Sequence, residues 1–566
     1  MKEPEKAKTL YTEAFQSQTI QLNKLFQFTN EAEKQSYLKK TENLENYLLS
    51  FNKSIYPRSY PTLCYDASLS NRNLILTSSQ QLRNEIYNSS DTRIKKQYNT
   101  WINLREQLAF WYAKPITERA AYVKDIELQA DSLEKELTRL SSDFKKEQVQ
   151  NKNPWQNIQQ NLKPNEAAIE FVQFHFYNGK RWTDSTYYVA LLLTKTIKEP
   201  EFIPLFESRQ LNNIIKTGNT YKTITAIYKN DKTNAAYDLI WKPIDKHLNG
   251  ITKIYFAPAG LLYRISLQAL PVNDQQVLSD KYQLVQLNTT ALLTDQSKNR
   301  IDTTDKIYLY GGIQYDVDSA TLKQTVMAYH HDNEITRFVS DDLTRGSSWQ
   351  YLPGTEKEVN KIDSLGQQKK YAVFSESGNA ATEESIKALN GNASPVVLHI
   401  ATHGFFFPDP RTDTVKNKFA SGNVFRQSDD PLFRSGLLFA GANNAWTGNQ
   451  IANVEDGILT AYEVSNLYLP NTKLVVLSAC ETGLGDIEGN EGVYGLQRAF
   501  KIAGVENLIM SLWKVPDKET AAFMELFYKN LFDKQSIEDA FYNAQTFMKN
   551  NYRNEPYKWA AWILVR

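Results

Sequence analysis

The spacing of apolar residues over the first 150 positions predicts helices. One stripe alternates intervals of four and three, which places its members on a single helix face: Ile126, Ala130, Leu133, Leu137, Leu140 and Phe144. A second stripe repeats the pattern at Trp101, Leu104, Leu108 and Trp111 and stops before Pro115. Both stripes indicate helices that pack on other helices, as in an antiparallel array, although no repeating helical pair is evident.

The period changes near residue 160, where strand patterns begin. Short runs rich in apolar, β-branched and aromatic residues occur at 168–174, 187–193, 253–256, 306–310, 396–400, 474–477 and 507–510. Several are continuously apolar and are separated by helical stretches. That pattern is typical of strands covered on both faces in a parallel α/β sheet. We therefore expect an α/β fold preceded by an all-α region.

Composition narrows the class of protein. A chain of 566 residues is too long to fold around a single hydrophobic core, so two to four domains are expected. The net charge of +1 gives no indication of a nucleic-acid partner. The two cysteines, Cys64 and Cys480, form neither a disulfide framework nor a zinc motif, so no metal or cofactor is expected. Without a signal peptide or a membrane-length apolar run, the expected location is cytoplasmic.

The candidate chemistry lies at the ends of two predicted strands. The strand at 396–400 leads into His403 and Gly404, and the strand at 474–477 leads into Cys480. Carboxyl ends of parallel strands meet at one edge of a sheet, so we expect His403 and Cys480 to be neighbours. An imidazole beside a thiol can generate the thiolate nucleophile and later protonate a leaving amine.

Two backbone amides are candidate oxyanion donors, those of Gly404 and Cys480. Glycine at 404 permits a tight turn and close approach of a substrate carbonyl. A lone cysteine or histidine is more often a packed residue than a catalytic one. His399 and Cys64 are therefore assigned to packing.

The two segments together, His399-Ile-Ala-Thr-His-Gly404 and Val475-Val-Leu-Ser-Ala-Cys-Glu-Thr-Gly483, resemble the CHAT domain, a bacterial relative of caspases and separases. The resemblance spans about residues 160–566 in the motif order of that family. It includes the matching segments 254–262, 267–271, 352–359, 434–436, 440–443, 456–463, 492–500, 511–515 and 559–565.

The resemblance implies a caspase-like, parallel-rich sheet flanked by helices, with His403 and Cys480 as catalytic dyad. It implies an inactive protease-like half at 156–300, an active half at 301–566, and a helical region at 1–155 that forms the end of a tetratricopeptide-type array. The implied function is a cysteine endopeptidase that cleaves a protein substrate through an acyl-enzyme. A regulatory protein or signal would act through the helical region.

The residues that would select the substrate match the family pattern less closely than the dyad does. In the caspase group the residue two before the nucleophile lines the first specificity pocket, which here matches Ser478. Separases carry an Asp after a Leu-Trp pair that binds a basic residue, whereas Lys514 follows Leu512-Trp513 here, which argues against an arginine preference. Four further carboxylates either line the pocket or are merely solvated: Asp517, Asp486, Glu488 and Glu491.

Two other functions remain open. One is a non-catalytic protein-interaction scaffold, because helical arrays bind proteins and a dyad alone does not prove turnover. The other is hydrolysis or acyl transfer of small esters by the same dyad. The long segment 405–456, rich in Pro, Asn, Asp, Ser and Gly, lacks the periodicity of one element, and we hypothesise that it is a mobile flap over the substrate cleft.

Overall fold

A computed structural model describes residues 4–57, 60–114, 118–142, 154–215, 221–228, 235–295, 299–329, 348–409, 424–479 and 482–566. Cys480 and Glu481 lie outside these ranges, as does part of the proposed flap at 410–423. No helix among the described residues combines the length and the hydropathy needed to cross a membrane.

The N-terminal region is helical, as predicted. It contains α1 (Pro4–Leu25), α2 (Glu31–Thr41), α3 (Asn43–Ile55), α4 (Pro61–Asn71), α5 (Leu74–Asn88), α6 (Thr92–Tyr112), α7 (Val123–Ser142) and α8 (Pro154–Asn161). The two apolar stripes fall on α6 and α7 and bury Trp101, Leu108 and Leu137 where these helices pack together. Phe144, the last member of one stripe, lies outside the described residues.

Sixteen strands are described after the helical region. They are β1 (Glu166–Tyr177), β2 (Trp182–Thr194), β3 (Glu201–Glu207), β4 (Lys253–Ala257), β5 (Gln283–Gln286), β6 (Lys306–Ile313), β7 (Ala372–Gly378), β8 (Val397–Ala401), β9 (Gly404–Phe406), β10 (Ser435–Leu438), β11 (Ile458–Thr460), β12 (Leu474–Ser478), β13 (Asp486–Glu488), β14 (Gly492–Tyr494), β15 (Asn507–Ser511) and β16 (Trp562–Val565).

Eleven of these strands form one mixed sheet in the order β3-β2-β1-β4-β5-β16-β15-β12-β8-β6-β7. The pairs β1–β4, β4–β5, β12–β15, β8–β12, β6–β8 and β6–β7 are parallel. Strands β8 and β12 are buried along their whole length, which explains why their sequences are continuously apolar. The prediction of a parallel-rich α/β sheet behind a helical region is therefore confirmed.

Helices surround the sheet. They are α9 (Ser208–Ile215), α10 (Tyr221–Tyr228), α11 (Ala235–Ile240), α12 (Lys242–Asp245), α13 (Leu278–Lys281), α14 (Ser319–Val326), α15 (Pro353–Gln368), α16 (Glu383–Lys387), α17 (Val424–Gln427), α18 (Ala442–Trp446), α19 (Ala461–Val464), α20 (Leu496–Ile502), α21 (Asp517–Phe532), α22 (Ile537–Asn551) and α23 (Pro556–Trp559). Helix α15 packs on β6 and β7 and contacts α21. It starts at a proline, whose missing N–H is tolerated in a first turn.

One strand joins the two predicted halves of the protease-like region. β16 pairs antiparallel with β15 and parallel with β5, so the sheet runs without interruption from 166 to 565. The halves at 156–300 and 301–566 thus share one sheet, and their boundary remains a prediction.

The segment 405–456 is not one element, in agreement with its lack of periodicity. Its described parts contribute β9 and β10 to a three-stranded sheet with β11. Phe405, Phe425 and Trp446 pack together beneath this sheet and are each less than a tenth exposed. Much of the proposed flap is therefore built into the core, and the remainder lies outside the described residues.

Candidate active site

The carboxyl ends of β8 and β12 lie side by side. In this parallel pair Ala401 is in register with Ser478. His403 follows two residues after Ala401, and Ala479 directly follows Ser478, so both lie at the same edge of the sheet, beyond strands spaced about 4.8 Å apart. Cys480 lies outside the described residues, and its neighbour Ala479 is described and buried.

The loop after β12 is fixed on both sides of Cys480 by Ser511 at the end of β15. The Ser511 hydroxyl donates to the carbonyl oxygen of Ala479 at 2.9 Å, and the Gly483 amide donates to the Ser511 carbonyl oxygen at 2.9 Å. A side chain at Gly483 would place its Cβ 3.1 Å from that same oxygen, a close contact that favours glycine there. The two flanks of Cys480 are thus held at the carboxyl end of β15.

The His403 ring is oriented by a backbone carbonyl. Its Nε2 lies 2.8 Å from the carbonyl oxygen of Gln350. A carbonyl oxygen only accepts hydrogen bonds, so Nε2 carries the proton and Nδ1 of the neutral ring is left as the basic atom. The ring also contacts Trp349 and Tyr315, with centroids 4.9 and 5.1 Å away.

Asn443 fixes the segment that holds this histidine. Its Oδ1 accepts from the Trp349 amide at 2.7 Å, and its Nδ2 donates to the Trp349 carbonyl oxygen at 2.9 Å. Nδ2 also donates to Asp316 Oδ1 at 2.9 Å. Asn443 therefore clamps the backbone next to Gln350, whose oxygen orients His403.

Sequence reasoning did not identify either of these positioning groups. The carbonyl of Gln350 has no side-chain signature that a sequence could reveal. Asn443 did carry a signal, because it ends the matched segment 440–443. No role could be assigned to it before its contacts were known.

Burial lowers the pKa of His403 below its ordinary value. The hydrogen bond to Gln350 and the charge of Asp517 act in the opposite direction, while the nearby Lys514 ammonium lowers the pKa further. The free-base form is thus favoured near neutral pH, as a general base requires.

A cleft of about 130 Å³ opens beside His403. It lies among the carboxyl ends of β8, β12 and β15 and the first turns of α15 and α21. Three of the predicted specificity residues line it: Ser478, Lys514 and Asp517. Ser478 is buried and its hydroxyl has no hydrogen-bond partner among the described residues, whereas Lys514 and Asp517 are exposed.

The other three predicted specificity residues are not part of the lining of this cleft. Asp486 forms an ion pair with the fully buried Arg434. Glu488 lies 3.6 Å from Lys39 of the helical region, and Glu491 lies 3.0 Å from Arg498. Because all three sit on or beside the β13–β14 hairpin, their proximity to Cys480 in sequence does not bring them to the cleft.

The proposed oxyanion donors are only partly described. Gly404 begins β9 and is in register with Leu437 of β10. The Cys480 amide lies outside the described residues. The role of both amides stays a prediction.

His399 is a core residue. It is fully buried, its Nε2 lies 2.9 Å from Glu358 Oε1, and its Nδ1 lies 3.2 Å from the hydroxyl of Tyr528. Glu358 also lines the cleft, so this buried contact supports its floor.

One acidic cluster has the spacing of a metal site. Ligand atoms of Glu383, Glu455 and Glu463 lie within 4.8 Å of one another, and no other such group occurs in the described parts of the chain. The Lys387 ammonium is 2.6, 3.2 and 3.2 Å from these three carboxylates. An ammonium already occupies the centre of the cluster, so the residues do not fit a metal ion.

A family model, the CHAT domain, matches residues 230–566. The chain belongs to the CHAT domain family. This match confirms the resemblance inferred from the histidine and cysteine motifs, and it places both β8 and β12 within the CHAT domain.

The curated relatives of this CHAT protein are tetratricopeptide repeat proteins. Tetratricopeptide repeat protein 28 of Homo sapiens is 23% identical over 350 residues, which are 58% of this chain and 13% of the relative. The Mus musculus protein of the same name is 29% identical over 231 residues, 38% of this chain and 9% of the relative. The chain therefore spans only a small fraction of the length of these relatives.

Two solved structures are similar to parts of this chain. The Arg-specific cysteine proteinase gingipain R of Porphyromonas gingivalis has 11% identity and a TM-score of 0.33, covering 62% of this chain and 68% of that one. The separase–securin complex of Saccharomyces cerevisiae has 10% identity and a TM-score of 0.40, covering 94% of this chain and 37% of that one.

Proposed function

We propose that this CHAT domain is a cysteine endopeptidase with His403 as general base and Cys480 as nucleophile. The register of Ala401 with Ser478 carries the proposal, because His403 and Cys480 each follow these residues by two positions in the sequence and are therefore expected at one edge of the sheet. The ring of His403 supports it further, since Nε2 is committed to a carbonyl oxygen and Nδ1 is left to accept a proton.

The reaction follows from these groups. Nδ1 of His403 takes the thiol proton, and the Cys480 sulfur attacks the scissile carbonyl carbon. The amides of Gly404 and Cys480 stabilise the resulting oxyanion. As the intermediate collapses, His403 gives its proton to the leaving amine. Water, deprotonated by the same imidazole, then hydrolyses the thioester and restores the thiol.

The cleft supports recognition of an extended peptide beside the dyad. Ser478 offers a small, uncharged wall, and Lys514 and Asp517 place one positive and one negative charge at the rim. Because neither sign of charge dominates the rim, we infer that the residue before the scissile bond is not selected by charge alone.

Contacts between the helical region and the loop after Cys480 support regulation of the site. The Asn73 amide donates to the Asn490 carbonyl oxygen at 3.1 Å, and the Ile75 amide donates to Glu491 Oε1 at 3.2 Å. Asn490 Nδ2 donates to Glu45 Oε2 at 2.7 Å. A partner that shifts helices α3 to α5 would therefore move the β13–β14 hairpin, which begins six residues after Cys480.

Covalent capture tests the proposal directly. A peptidyl acyloxymethyl ketone should add once to the wild type, as measured by intact-protein mass. The adduct should disappear in Cys480→Ala and persist in Cys64→Ala, a matched control because Cys64 is buried and its thiol pKa is raised by burial.

Cys480→Ala should also abolish the cleavage of proteins in a lysate, which is measured as new protein termini by mass spectrometry. The substitution should leave the fold intact.

Two alternatives make different predictions. A non-catalytic scaffold would show no adduct at Cys480 beyond that of an ordinary exposed thiol, and Cys480→Ala would still capture its partner. An esterase would turn over activated esters but produce no new protein termini. Either outcome would defeat the endopeptidase proposal.

A further inference from the structure

Arg434 is a buried cation directly before β10, and it belongs to the matched segment 434–436, which the dyad itself does not explain. A guanidinium is stable in the protein interior only where charged or hydrogen-bonding groups replace its water. The partners of Arg434 therefore show which parts of the molecule this residue connects.

Strand β10 is bonded at both ends to the segment that follows His403. The Leu438 amide donates to the His403 carbonyl oxygen at 3.0 Å, and the Phe407 amide donates to the Arg434 carbonyl oxygen at 2.7 Å. Between these two contacts β10 pairs antiparallel with β9. The backbone at Arg434 is therefore fixed relative to the chain that carries His403.

The side chain of Arg434 reaches the segment that follows Cys480. Its guanidinium forms an ion pair with Asp486, the first residue of β13, and donates to the carbonyl oxygen of Ser428. Because both side chains of the ion pair are largely buried, salt and solvent screen their charges little. One ion pair thus joins the chain after His403 to the chain after Cys480.

The backbone around this ion pair is closely packed. A Cβ added to Gly495, directly after β14, would lie 3.1 Å from the Leu484 carbonyl oxygen and 3.2 Å from the Ser435 hydroxyl oxygen. The loop after Cys480, the end of the β13–β14 hairpin and the start of β10 therefore meet at one point. This packing gives the Arg434–Asp486 ion pair a fixed frame on both sides.

The segment around Cys480 is therefore held from two directions. Ser511 of β15 bonds Ala479 and Gly483, and Arg434 binds Asp486. Unlike Ser511, Arg434 adjoins a strand that is bonded to the His403 segment. Proton transfer between an imidazole and a thiol needs a heavy-atom separation of about 3 Å, so a connection between these two segments bears directly on the rate.

We propose that Arg434 is a positioning residue for the dyad: its ion pair with Asp486 holds the segment after Cys480 where His403 can take the thiol proton. The role rests on the proposed function, because it requires that the two residues act together. Arg434 is fully buried and acts through these segments rather than by contact with a substrate.

Alkylation of Cys480 by iodoacetamide tests this role without turnover, because the thiolate is the reacting form and His403 generates it. Every measurement uses the full chain with Cys64→Ala, which leaves a single thiol. Asp486→Asn removes the charge and keeps the shape of the side chain, and it should slow alkylation at pH 7 about tenfold or more. In the presence of His403→Ala the same change should slow it less than about twofold, since no base is left to misplace.

Asp280→Asn is the matched control. The Asp280 carboxylate pairs with Lys549 at 2.7 Å and is 16% exposed, against 14% for Asp486, but this pair joins α13 to α22, which carry neither residue of the dyad. Both substitutions should lower the thermal unfolding midpoint. Only Asp486→Asn should change the alkylation rate, and Asp280→Asn should stay within about twofold of the wild type.

The outcomes separate this role from the proposed function. If His403→Ala alone leaves the alkylation rate unchanged, the dyad fails and the role of Arg434 fails with it. If His403→Ala slows alkylation but Asp486→Asn does not, or slows it equally with and without His403, only the role of Arg434 is overturned.

Faster alkylation in Asp486→Asn would also overturn the role, because it would show that the carboxylate acts on the thiol only through its negative charge. Should Asp486→Asn fail to fold, Arg434→Lys takes its place in the same comparison with and without His403. It keeps the positive charge but loses the planar fork that reaches both Asp486 and Ser428, so the same order of rates is expected.

Discussion

His403 Nε2 lies 2.8 Å from the carbonyl oxygen of Gln350, and this contact determines which nitrogen of the ring can act as a base. Nε2 donates its proton to the Gln350 oxygen, so Nδ1, on the other side of the ring, has a lone pair that can accept a proton. A histidine four residues earlier, His399, instead lies among buried partners, with Nδ1 hydrogen-bonded to the Tyr528 hydroxyl and Nε2 2.9 Å from the Glu358 carboxylate. The two histidines of the motif therefore have separable roles.

Substitution of these two histidines should affect different properties: His403 should affect catalysis, and His399 should affect stability. His403→Ala should slow peptide cleavage by about 10²–10⁴-fold, the usual contribution of a general base, with little loss of stability. His399→Ala should lower the free energy of unfolding by about 2–4 kcal/mol, since it leaves the buried Glu358 carboxylate without its partner. Steady-state kinetics and thermal unfolding of both variants check this, and a catalytic loss in a fully stable His399→Ala would contradict it.

The acid limb of the pH profile of kcat/KM should report the pKa of His403. Cleavage requires the neutral ring, so kcat/KM rises with pH through its pKa, which burial holds below the ordinary value of about 6.5. Lys514→Gln removes a positive neighbour and should move the limb to higher pH, whereas Asp517→Asn should move it lower. Each shift should be a few tenths of a pH unit, because both charges are exposed and screened.

NMR titration of the His403 ring gives the same pKa without turnover. Shifts of the same sign in Lys514→Gln and Asp517→Asn would contradict the electrostatic explanation.

Asn443 should act on catalysis through the position of His403. Asn443→Ala removes the clamp on Trp349, so we expect a loss of about tenfold or more in kcat with little change in KM. The ¹⁵N shifts of His403 should show more of the Nδ1-protonated tautomer, since the Gln350 oxygen is no longer held in place. Asn444→Ala, at the neighbouring position of α18, is the control. A variant with wild-type tautomer ratio and reduced kcat would assign Asn443 a different role.

A buried lysine should make stability depend on pH. Lys501 is 4% exposed, and burial, helped by Arg566, lowers its pKa to about 7. In the unfolded chain this pKa is near 10.4, so between pH 7 and 10 the unfolded state binds more protons and stability rises with pH. The slope is at most about 1.4 kcal/mol per pH unit.

Lys501→Met should therefore stabilise the protein most at pH 7, and its advantage should shrink toward pH 10. Thermal unfolding midpoints of the two proteins across this range provide the measurement. A constant difference would show that Lys501 is charged throughout in the folded state.

The sequence predicted those parts of the fold whose signal is local. The runs at 396–400 and 474–477 appear as β8 and β12 because strands buried on both faces must be continuously apolar. The α6 and α7 stripes were equally clear, since helix packing repeats at a fixed interval. Short strands such as β5 and β16 were not predicted, because four residues are too few to establish a period.

The sequence predicted those site residues whose side chains directly follow a recognisable strand. His403 could be placed from its strand, but the Gln350 oxygen that orients it belongs to a different segment and to the backbone. The carboxylates Asp486, Glu488 and Glu491 follow Cys480 in sequence, and the hairpin carries them away to Arg434, Lys39 and Arg498. Loop residues lack the periodicity that would reveal such a turn.

The position of strand β16 affects how the protein folds and how it aggregates. It separates β5 from β15, so residues nearly 280 positions apart, Gln286 and Val565, must meet before the sheet closes. Such long-range pairing makes folding slow. Until it happens, both β5 and β15 expose unpaired backbone, the kind of edge that recruits other chains. A variant shortened before Trp562 would keep that edge open, and we expect insoluble aggregates from it even with the dyad untouched.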